Sequence, residues 1–158
     1  MPRKPFTAGD YFAIPLGDPS APTVDDPVGL GQILSIEQNA MASFGCAFWP
    51  DIERSAEHQI GKPPFIVSLI TTELLKSRKW KVQGNAPIHV PDNVRRYEQF
   101  RSKEWVGAKI VGAGIIRVAL RAFHGLEDWD GYHDPDYITK LLQPGVEIPK
   151  HARFNPGV

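Results

Sequence analysis

The chain is short of several things. It has one cysteine, no surplus of charge of either sign and no long apolar run. A lone Cys46 among 158 residues rules out an internal disulfide framework and a multi-cysteine zinc site. It stands in Phe44-Gly45-Cys46-Ala47-Phe48, the setting of a small buried hydrophobe. A reactive thiol would need a basic, exposed setting instead. Lys plus Arg number 18 and Asp plus Glu number 18, so the basic excess of a dedicated nucleic-acid binder is missing. No apolar stretch reaches the roughly 18 residues of a membrane span. The opening Met-Pro-Arg-Lys-Pro-Phe-Thr is basic but leads into no apolar segment, so it does not read as a signal peptide. A cytoplasmic protein is expected, with no membrane contact.

Sequence motifs of chemistry are scarce too. There is no G-x-S-x-G elbow, no Walker loop and no H-x-x-x-H pair. Gly112-Ala113-Gly114 lacks the third glycine of a dinucleotide fingerprint. No catalytic residue, cofactor site or metal site is expected, and the chain is read as a non-enzyme.

What is present points to a mainly β (α+β) fold. The 14 glycines and 15 prolines suit many short strands joined by turns. After the turn at Gly9-Asp10, Phe12, Ile14 and Leu16 alternate with Tyr11, Ala13 and Pro15, the period of a half-buried strand. Pro15 places that strand at an edge or a bulge. Residues 17–27 carry three prolines and no apolar period, and read as a long exposed loop. Strands are expected over 28–36 and 44–49. In the former, Leu30, Leu34 and Ile36 share a side and Gln32 breaks the row, while Gly29 and Gly31 suggest a bulge or close backbone approach. A short helix or extended loop fits 51–58. Residues 65–71 form a continuous apolar run and read as a central strand. Short strands follow at 80–82 and 88–90, then a helix over 91–100. Residues 109–120 read as the last strong strand. A C-terminal helix follows, with Asp134 to cap it, Pro135 in its first turn and Pro144-Gly145 to stop it. One domain, 1–158, is expected, with arms at 1–8 and 146–158. Its architecture is an antiparallel β meander or a small SH3-like barrel with a C-terminal helix.

Two stretches carry candidate function. Residues 124–137 hold two His, five carboxylates and three aromatics. Such a set is able to ligate a divalent ion or shuttle protons. The plainer reading is helix capping by Asp134, dipole complementation by Asp136 and core cover by Trp129. A third reading is a partner-binding surface of Glu127, Asp128, Trp129 and Asp130, with the aromatic as anchor and the acids steering a basic partner. The run Lys76-Ser77-Arg78-Lys79-Trp80-Lys81 has the composition to touch phosphates and stack a base. Arg95, Arg96, Arg101 and Lys103 would extend that patch, interrupted by Glu98 and Glu104. Its plainer reading is a solvated hairpin with lysines guarding a sheet edge. His58, His89 and His151 are isolated.

Several segments, in order, resemble one family. They are Gly9 to Leu16 with Gly29 to Leu34, then Thr71-Thr72-Glu73-Leu74-Leu75 with Lys79-Trp80-Lys81-Val82-Gln83-Gly84. The last are Ala122-Phe123-His124-Gly125-Leu126-Glu127-Asp128-Trp129-Asp130 and Asp134 to Leu142. Together they resemble the immunity protein 26 family of bacterial polymorphic toxin systems, over residues 9–142. The chain departs from that pattern in a longer 17–27 loop, in Gln83, and in Asp128-Trp129 where Pro-Trp is expected. The resemblance implies a cytoplasmic antidote that binds a cognate toxin domain, with no catalytic residues to carry over.

Overall fold

In the computed structural model the described residues are 6–37, 43–53, 55–91 and 109–154. Among the described residues six strands form one sheet: β1 (Asp10–Pro15), β2 (Val28–Glu37), β3 (Ser43–Trp49), β4 (Ile66–Ile70), β5 (Lys81–Asn85) and β6 (Ile110–Val111). Their order is β5-β1-β2-β3-β4-β6. Every pairing is antiparallel except β4 with β6. The meander is as expected from alternation. The barrel alternative is not: β5 and β6 lie at opposite ends and the sheet stays open.

Four helices complete the described fold: α1 (Ala56–Gln59), α2 (Glu73–Lys76), α3 (Ala113–Phe123) and α4 (Tyr137–Leu141). α3 corrects the expectation of a strand over 109–120. Only Ile110 and Val111 pair in the sheet. From Ala113 the chain coils, burying Ala113, Ile116, Ala119 and Leu120 on one face, the spacing of a helix rather than a strand. The segment expected as a helix over 91–100 falls almost wholly outside the described residues. No strand forms at 88–90.

β1 is also not an edge strand. β5 covers it only from Asp10 to Ala13, while β2 runs on to pair Val28 with Pro15. Pro15 therefore lies past the end of β5, where its missing N–H breaks no ladder.

The sheet has two apolar faces. The larger core gathers Phe12, Ile14, Ile33, Phe44, Cys46, Phe48, Trp80 and Trp129 under α3 and α4. Gly31 lets the Phe12 ring lie directly on the backbone, in the space a Cβ would take. The smaller core, on the opposite face, collects Leu30, Leu34, Ala47, Trp49, Ile60, Ala86 and Val90. A bulge between Ile33 and Ser35 returns Ile36 to the first side, opposite Phe44. That explains why the expected Leu30–Leu34–Ile36 row is broken. Gln32 is buried within the smaller core and donates from Nε2 to the carbonyls of Gly9 (3.3 Å) and Ala86 (3.1 Å).

Described parts of the segments expected as arms, 1–8 and 146–158, pack on the core. Phe6 packs edge-on against Phe44 at 5.5 Å. Val146 and Ala152 lie against the larger core.

Candidate functional site

The 124–137 segment begins where α3 ends. His124 closes the helix and Gly125 takes a left-handed φ of +74°. The N–H of Leu126 then reaches the Arg121 carbonyl (3.0 Å) and that of Gly125 the Ala122 carbonyl (3.0 Å). This is a Schellman ending, which satisfies carbonyls the helix would otherwise leave open. It turns the chain back toward the core and delivers Trp129 into it.

Trp129 is only 1% exposed. Its ring packs edge-on to Phe65 at 6.5 Å, and its Nε1–H donates to Thr139 Oγ1 at 2.9 Å. Its backbone N–H donates to the Arg153 carbonyl at 2.7 Å. Of the two roles expected for Trp129, core cover and partner anchor, the structure places its side chain in the core, where the indole is a peg that joins the segment to α4. Around it, Glu127 accepts from Arg121 Nε (3.0 Å) and Asp128 from Arg153 Nε (2.6 Å). Asp130 is half-buried at the surface. The backbone places the three carboxylates around a buried tryptophan, so Glu127, Asp128 and Asp130 stay at the surface and Trp129 leaves it.

His124 and Asp134 are engaged as well. His124 Nε2 lies 2.7 Å from the Pro50 carbonyl; a carbonyl only accepts, so this nitrogen carries the proton. Asp134 accepts the Asp136 N–H at 2.9 Å and Lys140 Nζ at 2.6 Å. The Lys140 ammonium, then the Asp136 N–H, hold the Asp134 carboxyl below its ordinary range. Asp136 itself occupies the N-cap position of α4. Among the described residues, no three His, Cys, Asp or Glu side chains converge in a group able to hold a metal ion. Cys46 is fully buried, and burial pushes its thiol up.

The basic run is organised by α2 and β5. Arg78, at a left-handed φ of +64°, makes the turn between them. Lys79 and Lys81 are exposed, but Trp80 between them is only 2% exposed. Its ring stacks on Phe12 (5.6 Å, 12°) and meets Phe48 edge-on at 6.1 Å. The base-stacking use expected of Trp80 is thus not available in this arrangement. β5 is bulged at Gln83, which has no partner in the β1 register, and Gln83 Nε2 covers its own strand's Lys81 carbonyl at 3.3 Å. A short, bulged, lysine-bearing strand at the end of a sheet is a guarded edge. Arg95, Arg96, Arg101 and Lys103 lie outside the described residues.

One arrangement had no forewarning in the sequence reading. On α3, Arg117 donates from Nε to the Pro15 carbonyl (2.9 Å) and from Nη2 to that of Gly17 (2.6 Å). Arg121, one turn on, donates from Nη1 to the Leu16 carbonyl at 2.6 Å. Burial, then the neighbouring Arg121, lowers the Arg117 pKa from its ordinary value, while Glu127 and Asp18 oppose this. Two arginines thus grip three consecutive carbonyls at the mouth of the 17–27 loop. Their spacing of four is a helical signal, hidden when the segment is read as a strand.

Among the described residues no helix is long and apolar enough to cross a membrane. No protein-family model, no curated protein and no solved structure matches the chain.

Proposed function

We propose that the protein is an immunity protein: a non-catalytic cytoplasmic antidote that binds a cognate bacterial toxin domain stoichiometrically and blocks its active site or an essential exosite. The observation that supports it is the use made of the 124–137 stretch, the most chemically equipped part of the sequence. His124, Glu127, Asp128 and Asp134 each engage the protein's own carbonyls or cations. Trp129 is a core residue. Side chains committed to such bonds serve a scaffold, and a scaffold acts through its surface. The ordered resemblance over 9–142 is the source of the partner's class, a toxin domain.

Co-expression with the toxin domains encoded beside the gene is the test. Restored growth and a one-to-one complex on a sizing column are expected. If growth is rescued from none of those toxins and no complex elutes, the reading fails.

A further inference from the structure

Gln32 is a polar residue in the middle of the smaller core, and it is 0% exposed. Its cross-strand neighbours are Tyr11 on β1 and Ala47 on β3. A primary amide brings two N–H donors and one carbonyl acceptor. The Nε2 donors face three backbone carbonyls, of Ala86 at 3.1 Å, Gly9 at 3.3 Å and Pro87 at 3.5 Å. Two hydrogens serve two of them well. The Gly9 carbonyl also receives the Ala86 N–H at 3.0 Å, so the Pro87 carbonyl, at the longest distance, is the least well served. On the other side of the same amide, Oε1 is buried and accepts no hydrogen bond from the described residues. Turning the amide over does not cure this, because Oε1 would then face three carbonyl oxygens. The site therefore has more acceptors than donors, in surroundings of low polarity where an unpaired acceptor is costly.

We infer that Gln32 Oε1 binds a single internal water molecule, which donates one hydrogen to Oε1 and the other to the Pro87 carbonyl. Water supplies both of the donors that the local count calls for, in one small molecule. Ala47 carries only a Cβ beside the Gln32 amide, the kind of shortfall in side-chain volume that an internal water fills. A metal cation would match the number of oxygens but not their arrangement, since the Nε2 hydrogens already point at three of them. The water has a consequence for the fold. Residues 86–90 cross from the end of β5 onto the smaller core, where Ala86 and Val90 are buried. With the water in place, Gln32 fastens this segment to β2 with both ends of its amide.

The inference is independent of the proposed function, and its test uses the full chain. A crystal structure of the wild type at a resolution that orders internal water should show one water within about 3 Å of Oε1, bonded also to the Pro87 carbonyl. Gln32→Met keeps the length of the side chain without the amide, and its crystals should show the water gone. In the same variant the Ala86 N–H should exchange with solvent about tenfold faster or more, while the Trp129 N–H, on the opposite core, keeps its wild-type rate. A wild-type Oε1 that meets a protein donor, or only apolar atoms, overturns the inference, and this outcome needs no variant to fold. A water that stays in Gln32→Met overturns the assignment of Oε1 as its holder. Wild-type exchange at Ala86 in that variant overturns the fastening of 86–90.

Discussion

Trp80 and Trp129 stand in similar sequence surroundings and in different structural ones. Both are set among charges, Trp80 in a basic run and Trp129 in an acidic one, and both are buried in the larger core. The Trp80 ring packs between Phe12 and Phe48, its backbone N–H donates to the Leu74 carbonyl at 3.0 Å, and its charged neighbours Lys79 and Lys81 stay in solvent. Trp129 has a polar hook on Thr139, and its charged neighbours Glu127 and Asp128 pair with arginines. One segment is therefore fastened by packing, with Lys79 and Lys81 exposed on either side of the ring. The other is fastened by packing and then laced to α3, α4 and the 151–153 segment. The lesson is about alternation: a tryptophan among charges marks the inward position of a segment whose other positions face water.

The strongest way to break the comparison is to remove each ring. Trp80→Ala and Trp129→Ala should each cost about 3–5 kcal/mol, the usual range for emptying a large aromatic from a core. Urea unfolding measures this directly. A loss under about 1 kcal/mol at either site would mean that the ring is not buried as described.

The next largest effect separates the two. Thr139→Val keeps the shape of the side chain but removes the acceptor of the Trp129 indole N–H. A buried donor left unpaired costs about 1–3 kcal/mol. The loss should vanish in a Trp129→Phe background, which has no N–H to strand, and persist in a Trp80→Phe background. Equal loss in both backgrounds would show that Thr139 stabilises α4 for some other reason.

The charged neighbours come third. Arg153→Ala removes an exposed pair with Asp128, whose side chains are 55% and 35% exposed, so solvent screening limits the loss to about 0.2–1 kcal/mol. Lys79→Ala, on the hairpin, should lie within about 0.5 kcal/mol of wild type. A larger cost at Lys79 than at Arg153 would reverse the assignment of solvated and laced segments.

The same contrast explains what was legible in the sequence. Strands β1 to β4 were: β1 from its alternating apolar positions, β4 from its continuous apolar run, and the boundaries from flanking Gly, Asp and Pro. The burial of Cys46 was legible from its aromatic and small neighbours. α3 was not, since Ile110, Val111, Ile115, Ile116 and Val118 carry strand propensity. The helical period of Ala113, Ile116 and Leu120 ran underneath it, and packing on the sheet decided in its favour. The arrangement of residues 127–130 was half legible. The carboxylates at 127, 128 and 130 are at the surface, but the side on which Trp129 falls depends on the Schellman turn at Gly125. The grip of Arg117 and Arg121 on residues 15–17 joins places about a hundred residues apart. No local pattern encodes such a contact; only the fold brings its ends together.

The smallest predicted effect is one of pH, and it tests the lacing at its outermost stitch. Lys140 and the Asp136 N–H depress the Asp134 pKa. A depressed acid binds its proton less readily folded than unfolded, so its stabilisation is fully present above the unfolded value of about 3.9. It fades as pH falls through the lower folded value. For Lys140 the sign is opposite: Asp134 raises its pKa, so its contribution is full below about 10.4 and fades as pH rises through the higher folded value. Asp134→Asn removes the charge at both ends of this window. Between about pH 5 and 9, inside the two limits, the melting temperature of Asp134→Asn should lie slightly below wild type by a constant margin. Once the pH has fallen below the depressed folded value the two should converge, because wild-type Asp134 is then protonated too. The exposure of both side chains, 67% for Lys140 and 39% for Asp134, keeps the margin small and makes it shrink with salt. A margin that stays constant however far the pH falls would mean that Asp134 acts only through its hydrogen bond to the Asp136 N–H, which asparagine is able to reproduce in part, and not through its charge.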